Sequence, residues 1–112
     1  MPGSFKFMPK FNRTDQDDEG ELLVAKKLKK PDQYRVILLN DDYTTMDFVV
    51  EILCRIFHKS VADATQIMMN VHRQGRGECG IYTFEIAELK VQQVHGIARS
   101  AGFPLKCTME KV

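Results

Sequence analysis

Two boxes of a hydroxyl residue followed three places later by an acid dominate the pattern of this chain: Thr44-Thr45-Met46-Asp47 and Ser60-Val61-Ala62-Asp63. Such a box offers a side-chain oxygen to an orphan helix N–H and a carboxylate to the positive end of the helix dipole. Apolar residues recur at helical spacing after each, at 46, 49, 50, 53, 56 and 57 and then at 64, 67, 68 and 71. The chain is therefore committed to two successive amphipathic helices. The first starts with Thr44 as its N-cap, and the second runs to about Gln74, where Gly75 offers a left-handed stop.

The flanks read as short strands and one more helix. Gln33 to Leu39 is rich in β-formers and ends at the turn cluster Asn40-Asp41-Asp42. Glu78 to Thr83 suggests a second strand. Ala87, Val91, Val94 and Ala98 line one face of a third helix that stops by Gly102, and Leu105 to Met109 closes the chain as a third strand. The order βααβαβ favours an α+β fold, a small three-stranded antiparallel sheet with three helices on one face. This core domain spans residues 32 to 112. Residues 1 to 31 hold the acidic run Asp15 to Glu21 and the basic run Lys26 to Lys30, with few branched apolar residues. They bury too little to offset their ordering entropy and are expected to form a flexible N-terminal tail, in which Phe5, Phe7 and Phe11 are the exceptions.

Composition excludes several function classes. A chain of 112 residues supports one core, and a formal net charge of +1 supplies no long-range field for nucleic acid. No apolar run approaches the ~20 residues of a membrane span. Cys54, Cys79 and Cys107 are an odd set without close spacing, which argues against a disulfide framework and fits a reducing cytoplasm. With no paired His or Cys spacing and no phosphate-binding glycine loop, neither a metal nor another cofactor is expected.

The densest polar constellation, Asn40-Asp41-Asp42-Tyr43-Thr44, stands where a strand ends and a helix begins. Loops on rigid elements carry function, yet Asn and Asp are also ordinary turn residues and Thr44 an ordinary cap. His72 lies at the edge of the apolar face of the second helix, a position that equally suits a packed histidine. Cys79 has no local activating base, so a nucleophile is not expected there.

Three segments together carry a resemblance: Tyr34 to Thr44 (YRVILLNDDYT), Ala64 to His72 (ATQIMMNVH) and Pro104 to Glu110 (PLKCTME). In that order and spacing they resemble the ClpS family, adaptors of the bacterial N-degron pathway that hand proteins with certain N-terminal residues to a Clp AAA+ unfoldase and its peptidase. The resemblance covers the whole core and implies an adaptor with no catalytic residues. It implies that Asn40, Asp41 and His72 receive the free α-amino group of a substrate, with Asp42 and Thr44 shaping the site. It implies a pocket for a first side chain of Phe, Tyr, Trp or Leu, made by Met46, Val49, Met68, Val71 and Leu105. It implies docking on the unfoldase through Glu85 and Lys90 at the start of the third helix. Thr45 stands where many members have proline. As the first helical residue after a Thr44 cap, it is expected to loosen the loop by ~0.4 to 1 kcal/mol. A module of similar fold without preference for free amines, and a small hydrolase built on Asp41, His72 and Cys79, are the competing readings.

Overall fold

Gln33–Leu39 forms strand β1, and a neighbour pairs with each of its two edges. The computed structural model describes residues 31–112. Within them β1 is followed by α1 (Met46–Arg55), α2 (Val61–Gln74), β2 (Arg76–Thr83), α3 (Phe84–Ser100) and β3 (Lys106–Lys111). β1 lies between β2 and β3 and runs antiparallel to both. The α+β class and the order βααβαβ are as the periodicity predicts. The expected N-terminal tail, with Phe5, Phe7 and Phe11, lies outside the described residues.

Strand alternation decides where the helices sit. Val36 and Leu38 point to one face of β1, where they join one continuous core with Cys79 of β2 and Cys107 of β3. Phe48, Ile52 and Leu53 of α1, Ala64, Met68 and Val71 of α2, and Ala87, Val94 and Ala98 of α3 complete that same cluster. All three helices thus cover one face of the sheet. Ile52 and Leu53 are fully enclosed, and truncating either to alanine should cost about 2–5 kcal/mol. Ile37 points the other way yet is also buried. It lies among ladder positions joined by two ion pairs, Arg35–Glu78 and Arg76–Glu110, each at 2.9 Å.

Three strand boundaries differ from the expected ones. β2 begins at Arg76 rather than Glu78, because β1 imposes the pairs Leu39 with Arg76 and Leu38 with Gly77. Glycine suits that position sterically. A Cβ at Gly77 would lie 2.7 Å from Val71 Cγ2 and 3.0 Å from the Ile67 carbonyl oxygen, so its absence lets β2 run close against α2. β3 starts at Lys106 and extends to Lys111, the polar residues Glu110 and Lys111 pairing with Arg35 and Tyr34. β3 is also tied to α3, since the Cys107 N–H donates to His95 Nε2 at 3.0 Å. On its inner side the Val112 N–H donates to the Gln33 carbonyl at 2.8 Å.

Candidate functional site

The loop between β1 and α1 is organised by a single carboxylate. Asp41 Oδ1 accepts the backbone N–H groups of Tyr43 at 2.8 Å and Thr44 at 2.7 Å, and Oδ2 accepts the Thr44 hydroxyl at 2.7 Å. This is an Asx turn reinforced by a side chain. Thr44 is therefore engaged backwards, and the cap of α1 falls to the next hydroxyl. Thr45 Oγ1 accepts the Phe48 N–H at 3.2 Å. The expectation of a Thr44 cap is corrected accordingly. Thr45 has φ −75°, a value proline shares, but unlike proline it supplies the cap oxygen, so the loosening expected from its place as a first helical residue does not apply. The second box behaves as predicted, Ser60 Oγ accepting the Asp63 N–H at 3.1 Å.

The loop faces the last turns of α2 across a cleft of about 450 Å³. Asn40, Asp41, Asp42 and Thr44 line it on the loop side, Met46 and Val49 from α1, and Met68, Val71 and His72 from α2. Residues from three separate stretches of the sequence are thus brought together. Leu105 is not among the lining residues. It is 1% exposed and packs in the same core cluster as Val49, Met68 and Val71. Tyr43 and Thr45 line the cleft as well, and the sequence reading assigned neither a part in it. Tyr43 is 76% exposed, and its only sequence signal is its place within the polar run.

Chemistry is graded from the rim inwards. Met46 is 43% exposed at the mouth, whereas Val49, Met68 and Val71 are buried at the floor. Asn40 and His72 are exposed at the polar end. Among the described residues neither the Asn40 side-chain carboxamide nor the His72 ring has a hydrogen-bond partner, so both can offer an acceptor to the cleft they line. Partial burial pushes the Asp41 carboxyl up. The bonds from the Thr44 hydroxyl, the Thr44 N–H and the Tyr43 N–H outweigh that effect and hold it below the ordinary carboxylate value. Asp41 is therefore anionic at neutral pH, and most of its lone pairs are occupied by its own loop.

The remaining predicted residues lie elsewhere. Glu85 is exposed in the first turn of α3. Lys90 is half-buried, and its Nζ donates to the Ile56 carbonyl at 2.6 Å while standing 5.9 Å and 5.7 Å from the ring centres of Phe57 and Tyr82. Lys90 also edges a larger hollow of about 840 Å³ between the end of α1 and α3, which contains none of the amine-site residues. Cys79 is fully enclosed, and burial pushes its thiol far above the ordinary value, which removes it as a nucleophile for the hydrolase reading. Among the described residues no group of three or more His, Cys, Asp or Glu side chains is placed to hold a metal ion. No helix there is long and apolar enough to cross a membrane.

Comparison with known proteins converges on one family. The sequence profile described as "ATP-dependent Clp protease adaptor protein ClpS" matches residues 29–108. A protein named ATP-dependent Clp protease adapter protein ClpS from Lawsonia intracellularis is 51% identical over 102 residues, covering 91% of this chain and 94% of the relative. The protein of the same name from Maricaulis maris is 59% identical over 97 residues, covering 84% and 89%. The structure of Agrobacterium tumefaciens ClpS2 bound to L-phenylalaninamide superposes with a TM-score of 0.72 at 37% identity, covering 74% of this chain and all of that one. With the fold, the cleft and these relatives in agreement, the chain belongs to the ClpS family, the adaptor proteins of the ATP-dependent Clp protease.

Proposed function

We propose that the cleft reads protein N-termini, taking a free α-amine together with a first side chain of Phe, Tyr, Trp or Leu, and that the protein delivers such substrates to a Clp AAA+ unfoldase in the bacterial cytoplasm. The observation that carries this reading is the meeting, in one cleft, of unengaged acceptors at Asn40 and His72 with an apolar floor of Val49, Met68 and Val71. Asn40 and His72 accept the ammonium N–H groups directly. Asp41 fixes the loop and adds negative charge beside them. Asp42 and Thr44 shape the rim. The similarity to a ClpS2 whose structure holds L-phenylalaninamide supports the reading, because that ligand carries both a free amine and an aromatic side chain.

The energetics need both halves. Each charge-assisted hydrogen bond contributes about 1.5–3 kcal/mol, and burial of a Leu or Phe side chain about the same. After association costs, the sum reaches micromolar affinity, about −8 kcal/mol, and one half alone does not. Methionines at 46 and 68 suit a pocket that must mould to flat rings and to leucine alike.

Docking on the unfoldase is assigned to the start of α3, with exposed Glu85 as the direct contact and Lys90 as part of the same region. The handle during delivery is assigned to residues 1 to 31, and substrate binding to residues 32 to 112. The decisive experiment uses two fluorescent peptides identical except for N-terminal acetylation, both beginning with Phe. Binding of the free peptide and loss of binding on acetylation are expected, with neither peptide cleaved. Equal binding of both would return the module reading, and cleavage would return the hydrolase.

A further inference from the structure

The turn between α2 and β2 is built on one residue whose peptide groups bond to both walls of the cleft. Gly75 follows His72 by three residues and caps α2 in the left-handed region, at φ 88°. Its N–H donates to the Val71 carbonyl at 3.0 Å, and its own carbonyl accepts the Asn40 N–H at 3.0 Å. Val71 lies on the floor of the cleft and Asn40 on its polar rim. The next residue, Arg76, pairs with Leu39, so the sheet register holds the end of α2 beside the residue that follows β1.

We infer that Gly75 is a positioning residue for the amine site: its left-handed conformation aims one carbonyl at Asn40 and thereby fixes the gap between Asn40 and His72. This inference rests on the reading of the cleft as an α-amine receptor. The requirement is conformational rather than steric, because a Cβ built on Gly75 meets nothing within 4 Å. A valine there cannot hold a positive φ cheaply, so the peptide rotates, the carbonyl turns away and the Asn40 N–H is released. Asparagine is among the residues that most readily visit positive φ and fits the same open space.

The test compares wild type, Gly75→Val and Gly75→Asn in the full chain, using the free and acetylated Phe peptides and the hydrogen exchange of the Asn40 amide. Gly75→Val should bind the free peptide ~10- to 100-fold more weakly, the loss of one charge-assisted bond, with the acetylated-to-free ratio collapsing towards one. Its Asn40 amide should exchange faster, while Gly75→Asn stays close to wild type on both readouts. If Gly75→Val does not fold, Gly75→Ala carries the same expectation at smaller amplitude. A valine or alanine variant that keeps the wild-type ratio overturns the inference, as does an asparagine variant as impaired as the valine one. A wild type that binds both peptides equally defeats the amine reading and this inference with it. Protection of Asn40 that depends on residue 75 would then show that the latch exists without that use.

Discussion

The Thr44 hydroxyl donates to Asp41 Oδ2 at 2.7 Å, so a carboxylate lining the proposed amine site is spent chiefly on its own loop. Asp41→Asn should therefore fail in two ways, losing a negative charge and unlocking the turn. Free Phe peptides should bind ~10-fold or more weakly, a deficit of at least one charge-assisted bond. Thr44→Val, which removes one of the three bonds, should lose less. Fluorescence anisotropy with both variants checks the ranking. Because the folded carboxyl lies below its ordinary value of 3.8, the stability it contributes is complete above that value and is lost as pH falls through the lowered one. Asp41 should thus leave binding unaffected between neutral pH and about 5.

Met46 stands at the mouth of the cleft, 43% exposed, above a floor that is almost closed. Its position predicts a steric filter against β-branched first residues. Met46→Ala should admit peptides beginning with Val or Ile while keeping Phe and Leu. Unchanged discrimination in a four-peptide titration would remove the filter.

His95 links α3 to β3 by accepting the Cys107 N–H, which requires an unprotonated Nε2. Burial first, and then the neighbouring Arg99 guanidinium, hold its pKa below the ordinary 6.5. A lowered folded value means that the contribution is fully present above 6.5 and is lost as pH falls through the lowered value. Urea midpoints measured from pH 8 to 5 should be level at first and then decline, by about 1 kcal/mol for one neutral hydrogen bond. In His95→Gln the decline should be shallower.

Lys90 is held from within by the Ile56 carbonyl and lies close to two aromatic rings. Lys90→Met should lower stability by about 1–3 kcal/mol, the cost of losing a hydrogen bond to a charged group. Glu85→Gln, on an exposed first turn, should stay within about 0.5 kcal/mol of wild type. Melting curves taken alongside unfoldase binding check this, and only the Glu85 variant should weaken docking without weakening the fold.

Elements with strong local signals were legible in the sequence. β1 was read at its observed bounds because seven residues of high β-propensity end in a turn cluster, and α2 was bounded by Ser60 and Gly75. The start of β2 was not legible, because Arg76 and Gly77 are poor strand formers and enter the sheet only through pairing with Leu39 and Leu38. The cap of α1 was misplaced by one residue. Two adjacent threonines are equivalent locally, and the choice between them is made by Asp41, which takes the first. Most of the expected site residues share the cleft, and Leu105, enclosed between Pro104 and the start of β3, packs in the core cluster that also holds Val49, Met68 and Val71. The inward engagement of Lys90 depends on Ile56, Phe57 and Tyr82 coming together from distant stretches, which no local pattern records.

The bond between Cys107 and His95 bears on solubility as well as stability. The Val112 N–H points towards β1, so strand alternation turns the Cys107 N–H to the open margin of the sheet, where a stray chain could otherwise add itself. The imidazole occupies that donor. A Clp protease adaptor thus has one place on its β3 border where an extended chain finds no partner.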